Sequence, residues 1–159
     1  MSAYTALAGR IRITLLDVKN SVERSLELSE KARKSGDDGY WDGVALNLHG
    51  FYTGVEHIFE DIARTLENSL PAGSDWHVDL LTQMAGEIEG VRPAVISLET
   101  RYCLDAYRGF RHVVRNVYAF NLRSARVHEL TLDLLECFQK VEKDILAFVQ
   151  FLESVDLND

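Results

Sequence analysis

Proline and cysteine are scarce, with two of each in 159 residues. Pro71 and Pro93 leave long stretches free of the residue that most strongly breaks helices. Cys103 and Cys137 lie in apolar surroundings and are too few for the disulfide framework of a small secreted domain. The expectation is therefore two buried, reduced thiols. No run approaches the ~20 apolar residues needed to span a bilayer, which excludes a membrane-embedded chain of that type. The apolar stretch near the start carries Arg10 and Arg12, which argues against a secretory leader. Also missing are a glycine-rich phosphate loop, a Cys-x-x-Cys pair and a Ser/His/Asp set, so the common nucleotide-binding, redox and hydrolase signatures do not apply. These absences point to a cytoplasmic protein with no membrane association and no cofactor.

What remains is rich in helical pattern. With 47% hydrophobic residues the chain can bury a core unaided, and its length fits a single domain covering residues 1–159. Leu7, Ile11, Leu15, Val18, Val22 and Leu26 recur in steps of three or four, predicting a helix from about Ser2 to Lys34. Gly36 and Gly39 with Asp37 and Asp38 form a turn. A second helix is expected from about Tyr40 to Ser69, with Val44, Leu48, Phe51, Val55, Ile58, Ile62 and Leu66 facing inward. A short helix follows over Trp76 to Ala85, then a loop from Gly86 to Pro93. A third long helix should run from about Ala94 to near Tyr118. A fourth, from about Ser124 to Val155, carries Val127, Leu130, Leu134, Cys137, Val141, Ile145, Phe148 and Leu152. The fold class is all-α: an up-down bundle of four long helices plus a short extra helix.

Charge is uneven. The net charge is −8, yet residues 101–128 hold six arginines, no lysine and one acid, Asp105. An arginine-only island in an acidic chain reads as a local anion site, or as balance for acids on neighbouring helices. At ~100° per residue, Arg108, Arg111, Arg115 and Tyr118 share one stripe, while His112 and Asn116 form a second stripe about 100–140° away. A straight helix cannot aim both stripes into one shallow pocket. They converge if the helix distorts near Asn116 or if a two-fold partner supplies the opposite wall. Guanidiniums in a row repel unless an anion sits between them, and their forked donors suit phosphate.

Other polar residues carry weaker signals. His49 and His57, with Glu56 and Glu60 nearby, lack the paired Glu-x-x-His elements of a di-metal bundle and read as core-edge histidines, so no metal site is expected. His77 and His128 read as lone histidines, exposed or hydrogen-bonded, without a role. Trp41 and Trp76 read as packing anchors, and the acids Glu136, Glu142 and Asp144 as a solvated face.

The string Gly109-Phe110-Arg111-His112-x-x-Arg115-Asn116-x-Tyr118 resembles the signature of the HepT-like ribonuclease toxins of the HEPN superfamily. That pattern has an arginine with a polar residue beside it, a histidine a few positions on, and a tyrosine two after that (R-x4-H-x-Y). Arg111, His112 and Tyr118 match the arginine, the polar residue and the tyrosine; Asn116 stands where the histidine should be. Trp76-His77-x-x-Leu80-Leu81-x-x-Met84 and Val91-Arg92-Pro93-Ala94 extend the resemblance to a longer HepT-like subgroup.

The resemblance implies a homodimer with two motifs facing across a cleft, and metal-independent RNA cleavage by 2′-hydroxyl attack. Arg111, His112 and the residue at 116 would form the catalytic set, with Arg108 and Arg115 as further phosphate contacts. It also implies a minimal nucleotidyltransferase antitoxin as partner, with AMPylation of Tyr118 in some pairs. An amide has no useful pKa, whereas histidine, near ~6.5, exchanges protons. Asn116 therefore leaves three readings: RNA binding without cleavage, proton transfer taken over by His112, or an inactivating replacement in a toxic protein. The alternative class is a non-catalytic helical module that binds a nucleotidyltransferase or a nucleotide.

Overall fold

In the computed structural model, which describes residues 2–116 and 123–158, the chain enters helix directly: Thr5 N donates to the Ser2 side chain at 3.2 Å. Helix α1 runs Ala3–Ser35 and stops at Gly36, whose φ of 70° is the left-handed conformation glycine favours. The Gly36 N–H closes onto Ala32 O at 3.0 Å. The expected stripe is buried through Val22, after which Ser25, Leu28 and Ser29 take it over and Leu26 is half-buried.

Helix α2, Gly39–Ile62, returns antiparallel to α1 and forms the most extensive helix pair with it. Glycine makes the close approach. A Cβ on Gly54 would stand 2.6 Å from Val18 Cγ2, and one on Gly43 would stand 2.9 Å from Leu28 Cδ1. The helix then loosens into a π-helical turn, Ala63–Glu67, ended by Asn68 at φ 49°. The expected extension to Ser69 is thus a change of winding.

Helix α3 spans Trp76–Met84. The segment 86–93 is a tight turn with a bridge between Ile88 and Arg92. Arg92 is buried and holds that turn in place. Its Nη1 donates to Gly86 O at 2.7 Å and Pro93 O at 3.0 Å, and its Nη2 donates to Glu67 Oε1 at 2.8 Å and Gln83 O at 3.1 Å. Val95 and Ile96 N–H both donate to Met84 O, holding this stretch in a bend outside the helix, so α4 starts at Leu98 and runs to Asn116. Ser97 caps it by accepting from Thr100 N. Asp144 is not part of a solvated face: it accepts from Ser97 N at 3.0 Å and from Thr100 Oγ1 at 2.6 Å.

The fourth long helix is two helices, α5 (Ser124–Leu132) and α6 (Leu134–Asn158), broken at Asp133. The cause is tertiary. Tyr107 of α4 donates its hydroxyl to Leu130 O at 2.7 Å, and Thr131 Oγ1 donates to His128 O at 2.6 Å. Carbonyls that would continue the helical ladder are thereby given side-chain donors. The apolar positions expected from Val127 to Leu152 are nevertheless all buried.

The cysteine reading is corrected. Cys103 of α4 and Cys137 of α6 form a disulfide, because the two helices bring their Cα atoms within 5.7 Å. Among the described residues every named element is helical, and no helix is long and apolar enough to cross a membrane.

Candidate functional site

Helix α4 has three faces. Leu104, Tyr107 and Phe110 point into the core. Leu98, Tyr102 and Val113 are exposed, and Gly109 lies on the same stripe with open space beside it. Arg108 and Arg111 lie on the third face, toward α2 and α3.

Arg111 is anchored on both neighbours. Its Nε donates to Thr53 Oγ1 at 3.1 Å, and its Nη1 pairs with Glu56 Oε1 at 3.0 Å. Thr53 and Glu56 are three apart on α2, so they present their polar groups on one edge. The Glu56 side chain is only 2% exposed. A carboxylate buried to that degree persists only when paired. Its second oxygen, Oε2, lies 2.6 Å from His77 Nδ1 of α3, and Trp76 stacks on the His77 ring with centroids 3.6 Å apart. Burial, and then the charge of Glu56, push the phenol of nearby Tyr52 well above its ordinary range, so it stays neutral. Arg108 pairs with Asp105 at 2.8 Å.

These groups border a cavity of about 190 Å³ lined by Asp75, His77, Arg108, Arg111 and His112, with Ser74 and Val78. The structure thus brings Arg108, Arg111 and His112 together. Tyr118 lies outside the described residues, as do the side chains of Arg115 and Asn116. Two guanidiniums of the row have anions within the chain, Glu56 for Arg111 and Asp105 for Arg108.

His77 is hydrogen-bonded, and it joins α3 to α2 and α4 through Glu56. The Glu56–His77 pair is what sequence reasoning missed. The available signal was a glutamate at the 52/55/56/59 positions of an otherwise buried apolar stripe. The other histidines are unremarkable in position: His57 is exposed, His49 half-buried, and His128 packs on Trp41. Among the described residues no group of three or more His, Cys, Asp or Glu side chains is placed to hold a metal ion.

The profile of the family described as HepT-like protein matches residues 43–152, which takes in most of α2, all of α3, α4 and α5, and most of α6. No curated protein and no solved structure matches the chain.

Proposed function

Because this chain belongs to the HepT-like protein family, we propose that it is the toxin of a HEPN/nucleotidyltransferase toxin–antitoxin pair, a cytoplasmic protein whose arginine-lined cleft takes RNA. The observation that carries this reading is the cavity at the α3–α4 face, where Arg108, Arg111 and His112 meet. Glu56 and Thr53 hold the Arg111 Nη1 and Nε atoms, which preorganises the guanidinium to meet a phosphate oxygen. Cleavage would follow 2′-hydroxyl attack without a metal, at a rate lowered by Asn116. A non-catalytic binding module is the second reading, and the internal neutralisation of Arg111 by Glu56 favours it.

The site is completed by a second copy. Leu98, Tyr102, Gly109 and Val113 form an exposed stripe on α4, and this is the face a second copy would cover about a two-fold axis. Light scattering at tens of micromolar protein tests this: a dimer is expected, with roughly 1,200–2,000 Å² or more buried, whereas a monomer contradicts it. A Tyr102→Glu variant should dissociate.

Tyr118 is the proposed regulatory handle. It comes seven residues after Arg111 in the sequence, a spacing that on an ideal helix amounts to two turns and about 20° of azimuth. AMP attached there would put bulk and negative charge into the cleft that RNA phosphate needs. Co-expression with the partner nucleotidyltransferase should add an AMP-sized mass to the intact protein, and Tyr118→Phe should abolish it. A mass increase that survives this substitution contradicts the assignment.

A further inference from the structure

Asparagine at position 116 leaves the proposed cleft without the proton-transfer group of the pattern that the chain resembles, yet a histidine stands on the other wall of the same cavity. We propose that His77 of α3, oriented by the buried Glu56 of α2, is the general base for RNA cleavage in this protein, an inference that rests on the RNA-directed reading above. The juxtaposition is specific. His77 Nδ1 lies 2.6 Å from Glu56 Oε2, while Arg111 Nη1 lies 3.0 Å from Glu56 Oε1 and 3.1 Å from the same His77 Nδ1.

Proton accounting then sets the tautomer. His77 Nδ1 lies within hydrogen-bond distance of an acceptor, Glu56 Oε2, and of a donor, Arg111 Nη1, and the shorter contact to the carboxylate, which can only accept, takes the Nδ1 hydrogen. Nδ1 therefore carries the proton in neutral His77, and Nε2 keeps the lone pair of a base. Trp76 stacked on the ring limits its tilt. The side chain retains 20% of its exposure and lines the cavity that Arg108, Arg111 and His112 also line. A histidine held only for packing has no need of an opening onto an arginine-lined cavity. The charged and titratable groups around it are Glu56 from α2, Asp75 from the loop before α3, and Arg108, Arg111 and His112 from α4.

The step balances without a cofactor. With the scissile phosphate on Arg111, His77 Nε2 takes the proton of the ribose 2′-hydroxyl. The 2′-oxygen electron pair bonds to phosphorus, the P–O5′ bond breaks, and O5′ takes a proton from water. The products are a 2′,3′-cyclic phosphate and a 5′-hydroxyl end, and His77 returns its proton to solvent.

The test uses the full chain and an end-labelled RNA oligonucleotide containing all four bases, with cleavage and binding measured separately. His77→Ala should cleave about 10²–10⁴-fold more slowly, with RNA affinity retained and part of the rate restored by added imidazole. The wild-type pH–rate profile should have an ascending limb, because a base must be neutral to take a proton, and His77→Ala should lose that limb. Glu56→Gln should displace the limb; if that variant does not fold, the imidazole rescue of His77→Ala still decides. Equal rates and equal pH profiles for wild type and His77→Ala overturn the inference and leave the RNA-cleaving reading intact. A wild type that binds RNA without cutting it overturns the inference alone. One that neither binds nor cuts RNA overturns both.

Discussion

Asn116→His is expected to raise the rate of RNA cleavage by about 10²–10⁴-fold, the usual worth of a positioned acid or base. Asparagine can orient a group by hydrogen bonding but has no proton to exchange near neutral pH. A histidine there would supply the proton that the leaving 5′-oxygen needs. Asn116→Ala should lack the gain, which separates proton transfer from a change of size. Adding Arg111→Ala to Asn116→His should remove the gain, because the phosphate would no longer be held. A single variant no faster than wild type would mean that position 116 lies away from the scissile bond, and with it the motif reading of α4 would fall.

The largest stability effect should come from Arg92, far from any RNA. Its side chain is 0% exposed and that of its partner Glu67 is 4% exposed. Arg92→Ala removes the cation from a buried carboxylate and uncovers the carbonyls of Gly86, Gln83 and Pro93. Breaking one side of a buried pair costs about 3–5 kcal/mol, which urea unfolding measures directly. Arg101, hydrogen-bonded to Thr82 at an exposed position, should cost within about 0.5 kcal/mol when replaced by alanine. Replacing Glu67 as well by an apolar residue of similar size should recover only the part due to its unpaired carboxylate, because the three carbonyls stay uncovered. A small effect of Arg92→Ala would mean that the turn 86–93 does not depend on the pair. The site depends on this turn, because Val95 and Ile96, hydrogen-bonded to Met84 O, set where α4 begins.

The helices were legible because burial follows a 3.6-residue period: the inner positions of α2 and α6 are the ones that periodicity marks. Gly36 announced the end of α1 for an equally local reason. What resisted reading is non-local. The break at Asp133 depends on Tyr107, a residue on another helix. The start of α4 depends on Asp144, 47 residues after Ser97. The disulfide depends on a helix crossing that no spacing rule supplies. At the site, the arginines were visible as a row, but Glu56 and His77 stand 21 residues apart on different helices. Their meeting is a property of the α2–α3 packing.

RNA affinity of Arg111→Ala against Arg33→Ala tests the central claim, an RNA site built on Arg111, most directly. Arg33 pairs with Glu30 on the exposed side of α1 and carries the same charge. Loss of a charge-assisted phosphate contact is worth roughly 1.5–3 kcal/mol, so Arg111→Ala should bind about tenfold or more weakly. Arg33→Ala should bind like wild type, and added salt should weaken binding as counterions are released. Because Arg111→Ala also uncovers Glu56, the comparison is made on protein verified as folded, with Arg108→Ala as a second variant that leaves the Glu56–Arg111 pair in place. Weaker binding at both Arg111 and Arg108 but not at Arg33 is the predicted result; equal losses at all three positions would mean that RNA senses only net charge, and would contradict a site at the α3–α4 face.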